Sequence, residues 1–496
     1  MQIKLSYSLD TMPDHLVVPV FANTQYESTI RHIAVLAGIP AEKLMQDYKA
    51  DLGEVQIIYL NDRHLFLLGL GKNPSFAEVF KAFRSFSHKY KTKIGHQLAI
   101  SWLHENESPT LARHVEAAVN GLFLGTYHIS KFKSSNSSEP HPLKADDAEI
   151  CFYLPETLAD SVQIAAERGL HMANSQMSIF DIVNAPSNKK LPSDLAAWAI
   201  DSGKKYGYKV ETFDQQQIEA KGLHALLAVN RGSEFPAAFI IMEYQPEIPG
   251  QYKKIGLVGK GVTFDTGGLS IKPSMNMHFM KSDMGGAAAV FGTMEMAAKL
   301  KLPIHLIGIV PATENSVDAK SVKPSDVINS YSGKTIEIID TDAEGRLILA
   351  DGLNYMVKHY QPEILIDLAT LTGSAVRTFG YHAAALFANN DELAEKIYQT
   401  GEKNGERVWR LPLWDTYKED IKSDIADVRN YSGRPTAGAI GAAKFLEFFI
   451  EEHPNWAHLD IAGVAFNDSE FSMQRSATGF GIRLLLEVME SYINRE

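Results

Sequence analysis

One cysteine, Cys151, stands in 496 residues. It cannot close an internal disulfide, zinc sites built from several thiolates are excluded with it, and it reads as a buried, inert thiol. No apolar stretch approaches the roughly 18 residues needed to cross a bilayer; the longest, such as 235–242 (FPAAFIIM), fall far short. The N-terminus, MQIKLSYSLD, lacks a charged start followed by an apolar run, so no secretory signal is expected. Basic residues are in deficit, 48 against 60 acidic ones for a net charge of −12, which argues against broad electrostatic attraction to nucleic acid. The sequence has no GxxxxGK(S/T) phosphate loop, no GxSxG elbow and no HExxH helix. Gly259-Lys260-Gly261 follows a strand but lacks the third glycine of a dinucleotide fold. An ordinary balance remains, 45% hydrophobic and 22% charged, that of a soluble globular protein with no membrane partner, expected in the cytoplasm.

Residues 1–150 mix short β-branched runs at Val17–Val20, Val55–Leu60, Leu65–Leu68 and Leu98–Ser101 with amphipathic segments. Ser75 and Glu78 form a capping box, and Phe76, Phe80, Phe83 and Phe86 follow at helical spacing. This predicts a small N-terminal α/β domain over 1–150. The polar stretch 133–148 reads as a loop, and a connecting helix or linker occupies 151–182. Asn184–Asn188 breaks the pattern, and Ser193 is the expected N-cap of the next helix. From 183 to 496 strands and helices alternate. Strands are expected at Ala238–Met242, Ile255–Val258, His305–Val310, Ile336–Ile339, Ile364–Leu368 and Trp456–Ile461, and helices at Gly286–Leu300, Leu347–His359 and Ala439–Glu452. Such alternation predicts a mixed, largely parallel sheet flanked by helices, with reactive groups outside the C-terminal strand ends.

Carboxylates and lysines gather at those ends. Residues 258–272 carry Lys260, Asp265 and Lys272 through a glycine-rich loop; Asp283 precedes an Ala-rich helix. Ile336–Ile339 then runs into Asp340-Thr341-Asp342-Ala343-Glu344-Gly345-Arg346. In an extended segment Asp340, Asp342 and Glu344 share one side. Three like charges so placed call for a cation, and oxygen-rich sites favour Mg²⁺, Mn²⁺ or Zn²⁺.

Asp340–Leu347 (DTDAEGRL) closely resembles the NTDAEGRL signature of the leucyl aminopeptidase family, the two-metal cytosol aminopeptidases. Val258–Ser274 (VGKGVTFDTGGLSIKPS), Met280–Ala287 (MKSDMGGA), Pro311–Asn315 (PATEN), Asp367–Gly373 (DLATLTG) and His458–Gly463 (HLDIAG) resemble family blocks in family order. The resemblance spans roughly 180–496, which makes 183–496 the catalytic domain. It implies hydrolysis of the N-terminal residue of peptides, Leu or another apolar residue first, through a water bridging two divalent ions, Zn²⁺ or Mn²⁺. Asp265 and Glu344 would bridge the ions, Lys260 and Asp283 would complete one site and Asp342 the other. Lys272 would stabilise the oxyanion, and Arg346 would hold a bicarbonate. Met280, Thr370, Leu371, Thr372, Gly373 and Ala462 would line the pocket for the first side chain, and the assembly would be a homo-hexamer.

Asp340 departs from the family's Asn and adds a carboxylate beside the metal ligands. Lys81, Arg84, Lys89, Lys91 and Lys93 interleave with Phe83, Phe86 and Tyr90, but the spacing is that of a helix burying its aromatic face. An accessory DNA-binding role and a non-catalytic binding module are the alternatives, with nucleic acid not the expected partner.

Overall fold

The computed structural model describes residues 2–9, 12–102, 110–134 and 140–493; residues 135–139 of the expected 133–148 loop lie outside the described residues. The chain divides into two compact units, Met1–Met177 and Ser178–Glu496.

In the first unit six strands form one sheet in the order Gln2–Ser6, Glu149–Tyr153, Gln97–Ser101, His15–Val20, Arg63–Gly69, Val55–Leu60. All neighbours are parallel except the last pair. Helix Phe76–Lys89 begins at Ser75, whose N–H donates to the Glu78 carboxylate at 2.7 Å while its Oγ accepts the Glu78 N–H. Phe83 and Phe86 are fully buried, so these rings are committed to the core and are not free to stack on bases. Cys151 is half-buried on Glu149–Tyr153, and burial raises its thiol pKa, which disfavours the reactive thiolate.

The second unit is built on a nine-stranded sheet. Its central strands, Trp456–Asp460, Ile364–Ala369, Lys254–Gly259 and His305–Asn315, run parallel in that order. Antiparallel pairs flank them on both sides, to Ala384–Ala388 and to Ala238–Tyr244. The middle strands Ile364–Ala369 and Lys254–Gly259 are mostly apolar because helices cover both faces, the pattern of a buried parallel sheet. The one carboxylate buried in them, Asp367, is paired with His458 Nδ1 at 2.6 Å and Trp456 Nε1 at 2.8 Å. Helix Gly285–Lys299 is buried nearly all round, and small residues let it approach the sheet. A Cβ on Gly286 would lie 1.9 Å from the Leu368 carbonyl oxygen, so only glycine fits there.

Three local expectations are corrected. Ile336–Ile339 is not a strand of the main sheet. Thr335–Glu337 pairs instead with Val327–Asn329 and Val428–Arg429 in a separate three-stranded sheet. The chain then turns at 340–344: Asn430 Oδ1 accepts the Ile339 N–H at 2.8 Å, and the Ala343 N–H reaches back to the Asp340 carbonyl. Second, helix Pro192–Tyr206 is capped from Leu191, not Ser193, because the Asp194 carboxylate takes the Leu191 N–H at 2.8 Å and Pro192 occupies the first turn. Third, helix Gly438–Glu447 ends five residues before the expected Glu452; Glu451 and Glu452 lie at positive φ, incompatible with continued α-helix.

Lys190 ties this unit to its site. Its side chain is buried and donates to the Val183 carbonyl at 3.2 Å, near the end of helix Ala159–Asn184, and to the Lys281 carbonyl. Among the described residues no carboxylate pairs with it. Burial, with Lys281 adding repulsion, lowers its pKa to about 7. An unfolded lysine keeps its proton to about 10.4. Between pH 7 and that value the unfolded state binds more protons, so this residue's contribution to stability rises with pH. The thermal midpoint of wild type relative to Lys190→Met is therefore expected to climb between pH 7 and 9.5; a difference independent of pH would show that Lys190 folds as an ordinary ammonium.

Candidate active site

Five segments at one end of the main sheet converge on a cavity of about 570 Å³. Lys260 follows strand Lys254–Gly259, and Asp265 closes strand Gly261–Asp265. Met280 lies on the short 3₁₀ turn Met277–Ser282, with Asp283 next. Asp342 and Glu344 come from the 340–344 turn, and Arg346 from the first turn of helix Gly345–Tyr360. Thr370, Leu371, Thr372 and Gly373 follow strand Ile364–Ala369, and Ala462 follows Trp456–Asp460. These residues and Lys272 all line the cavity, so the fold brings together every site residue read from the sequence.

The charges are paired within it. Lys260 Nζ lies 2.6 Å from Asp283 Oδ2 and 2.7 Å from Glu344 Oε1, with the Thr370 carbonyl accepting at 3.0 Å. Lys272 Nζ lies 2.7 Å from Asp265 Oδ2 and also contacts Asp342 Oδ1. Burial works to lower both lysines, but the surrounding carboxylates outweigh it and hold both ammoniums above their ordinary pKa. Burial, and then the neighbouring Asp265 charge, raise Asp342 to about 7. Glu344 is held below its usual value because Lys260 and Lys272 overcome its burial.

Glycine makes this packing possible. A Cβ on Gly345 would meet Lys260 Cε at 2.5 Å, and Gly267, at φ +85°, would place one 2.8 Å from Asp342 Oδ1. Neither position tolerates a side chain without moving a charged group.

One ligand atom from each of Asp265, Asp342 and Glu344 lies within 4.8 Å of the others. Asp283 Oδ2, Asp342 Oδ1 and Glu344 Oε1 are buried oxygens with no directed hydrogen bond, although lysine nitrogens touch them. Convergent carboxylate oxygens whose partners here are lysine ammoniums present the negative charge that a divalent cation would neutralise in their place. Asp340 lines the cavity but does not join this cluster. Its Oδ1 accepts the Asp342 N–H at 2.9 Å, since the turn, not an extended strand, sets the direction of each side chain. The alternation expected for Asp340, Asp342 and Glu344 is thereby corrected.

Arg346 is buried. Its Nη1 donates to the Asn430 carbonyl at 2.7 Å, its Nε has no partner, and among the described residues it forms no ion pair.

The supporting roles of two residues, Asn315 and Asp460, are not marked in the sequence. Asn315 Nδ2 donates to Asp265 Oδ1 at 2.8 Å and to the Thr341 carbonyl at 3.0 Å, fixing one carboxylate relative to the turn that brings the others. Asp460 gathers the Leu371 N–H at 3.1 Å, the Thr372 hydroxyl at 2.6 Å and the Ala462 N–H at 3.2 Å, so one carboxylate sets two lining loops. Both lie inside recognisable blocks, but a block does not tell which of its polar residues faces the cavity and which holds the loops. Asp460→Ala is expected to lower kcat/KM for leucine anilide by roughly 10- to 100-fold, mainly through KM, as loops shift by a fraction of an ångström to an ångström. Metal content should stay unchanged, and a variant that loses its metal instead would assign Asp460 to the ion site.

The family model described as the cytosol aminopeptidase family, catalytic domain, matches residues 179–486. A probable cytosol aminopeptidase of Chloroherpeton thalassium is 41% identical over 496 residues, covering 97% of each chain. One from Syntrophotalea carbinolica is 45% identical, covering 77% of this chain and 76% of its own. Among solved structures, the cytosol aminopeptidase of Coxiella burnetii superposes with a TM-score of 0.83 at 28% identity over 99% of both chains. The bottromycin maturation enzyme BotP in complex with Mn superposes with a TM-score of 0.82 at 31% identity, over 97% of this chain and 99% of that one.

Proposed function

The chain belongs to the cytosol aminopeptidase family, metal-dependent exopeptidases that release the N-terminal residue of peptides, and from this premise we propose how its own residues divide the reaction. Asp265 and Glu344 would be shared between two divalent ions, with Lys260 and Asp283 completing one site and Asp342 the other. The convergence of Asp265, Asp342 and Glu344 within 4.8 Å in a buried pocket is the observation that carries this reading. Oxygen donors with one amine suit hard to borderline ions, and Zn²⁺ or Mn²⁺ is assigned; the Mn of the BotP complex supports trying manganese first.

When bound, the ions supply Lewis acidity to the scissile carbonyl and to the water that attacks it. Lys260 serves as a ligand only as the free amine, so it gives up the proton that Asp283 and Glu344 now stabilise. Lys272, partly open to the cavity, sets positive charge where the carbonyl oxygen becomes an oxyanion. Arg346, buried without a carboxylate partner among the described residues, offers a planar fork to a planar anion, here assigned as bicarbonate, which can carry a proton. Met280, Thr370, Leu371, Thr372, Gly373 and Ala462 receive the first side chain, and a pocket containing methionine favours Leu and Met with broad tolerance. A homo-hexamer working in the cytoplasm completes the reading, on the family resemblance.

The test is hydrolysis of leucine amide by purified protein supplied with Mn²⁺ or Zn²⁺, with light scattering for the assembly. Release of leucine with either ion is expected, and no release from any free N-terminus would end the catalytic assignment.

A further inference from the structure

The cavity has an acidic floor and a basic rim. Floor carboxylates already face Lys260 and Lys272, but two rim guanidiniums, Arg377 and Arg475, are differently placed. Both line the cavity and are exposed, and among the described residues neither pairs with a carboxylate, in a chain where acidic residues outnumber basic ones. Arg377 lies one turn along helix Gly373–Phe379 from Gly373, where an added Cβ would sit 3.4 Å from Arg377 Nη1. Arg475 is held in place: its guanidinium lies 4.4 Å from the Tyr381 ring centroid and 5.8 Å from that of Phe279, and Nη2 donates to Tyr381 Oη at 2.6 Å.

A guanidinium stacked on an aromatic ring and anchored by a phenol has already lost much of its side-chain freedom, and its remaining N–H groups form a fork suited to a carboxylate. A short peptide is a zwitterion, with an ammonium at one end and a carboxylate at the other. An acidic floor and an unpaired basic rim present the opposite polarity, and a cavity of about 570 Å³ is of a size that encloses small ligands.

We propose that Arg475, with Arg377 beside the same cavity, receives a carboxylate of the peptide substrate, the C-terminal carboxylate of a di- or tripeptide, so that the enzyme selects short free peptides. This rests on the aminopeptidase reading and adds a specificity determinant to it. The same fork would accept a glutamate side chain at the second residue, and the test separates the two sources.

The experiment compares kcat/KM for Leu-Gly with Leu-Gly amide, Leu-Gly-Gly with its amide, and Leu-Glu amide with Leu-Gln amide, in wild type, Arg475→Gln and the Arg377→Gln/Arg475→Gln double variant. The wild type is expected to favour the free acid by about 10-fold, mostly through KM, as a charge-assisted hydrogen bond would give. That ratio should shrink at 0.5 M salt, because the rim is exposed. In the variants it should fall toward one. The ratio is the readout because damage to the fold lowers both members of a pair alike. A preference confined to Leu-Glu amide would keep the carboxylate site and assign it to a side chain. Equal rates within every wild-type pair, or an acid preference that survives the double variant, would overturn the proposal. Absence of hydrolysis of every peptide would instead fall on the aminopeptidase reading.

Discussion

Exhaustive chelation lowers kcat/KM for leucine amide by at least about 10⁴-fold, because the Lewis acid at the carbonyl and the activation of the attacking water are lost together. The fold is expected to persist. Lys260 and Lys272 already lie within 2.7 Å of Asp283, Glu344 and Asp265, so the carboxylates keep counter-charges. The strands that present them are held by backbone ladders independent of any ion. Far-UV circular dichroism should therefore stay unchanged while activity disappears, and Mn²⁺ or Zn²⁺ should restore it. The thermal midpoint should rise on reloading, by the equivalent of about 2.7 kcal/mol at a hundredfold excess over Kd. Metal uptake should also release protons. Lys260 is held as an ammonium by its carboxylate neighbours and, as the proposed ligand, would bind an ion only after deprotonation. Affinity then strengthens as pH rises, and titration calorimetry in buffers of different ionisation enthalpy measures the protons released. Full activity at metal contents far below one ion per subunit, or uptake without proton release, would contradict these assignments.

Lys272→Ala lowers kcat by about 10²- to 10³-fold with KM little changed, the size found on removing one oxyanion-stabilising group. A second effect has the opposite sign. Lys272 now lies between Asp265 Oδ2 and Asp342 Oδ1, and its removal takes a positive charge from two proposed ligands. Metal affinity in the variant should therefore equal or exceed that of wild type. A combination of lower kcat with undiminished metal binding distinguishes a group acting on the reacting carbonyl from one that merely supports the ions. Lys272→Arg keeps the charge on a longer, planar head, and is expected to recover only part of the rate. A rise in KM with unchanged kcat would assign Lys272 to ground-state binding instead.

The sequence by itself determined the family, the α/β class and seven charged groups of the cavity, Lys260, Asp265, Lys272, Asp283, Asp342, Glu344 and Arg346. Glycine-rich turns after β-branched runs mark strand ends whatever their neighbours, and DTDAEGRL with its companion blocks is specific enough to need no third dimension. The strands Ile364–Ala369 and Lys254–Gly259 were legible because burial on both faces leaves short runs that are almost wholly apolar, Asp367 being the one buried charge among them. Only the tertiary structure decided which carboxylates meet. Asp340, Asp342 and Glu344 alternate in sequence, yet Asn430, about 90 residues further on, takes the Ile339 N–H and bends the chain, so Asp340 turns to the Asp342 N–H while Asp342 and Glu344 join Asp265. The anchoring of Asp265 by Asn315 and of two pocket loops by Asp460 was equally hidden. Local pattern records burial and turn chemistry within a few residues, whereas a hydrogen bond between distant segments exists only once the sheet has brought their ends together.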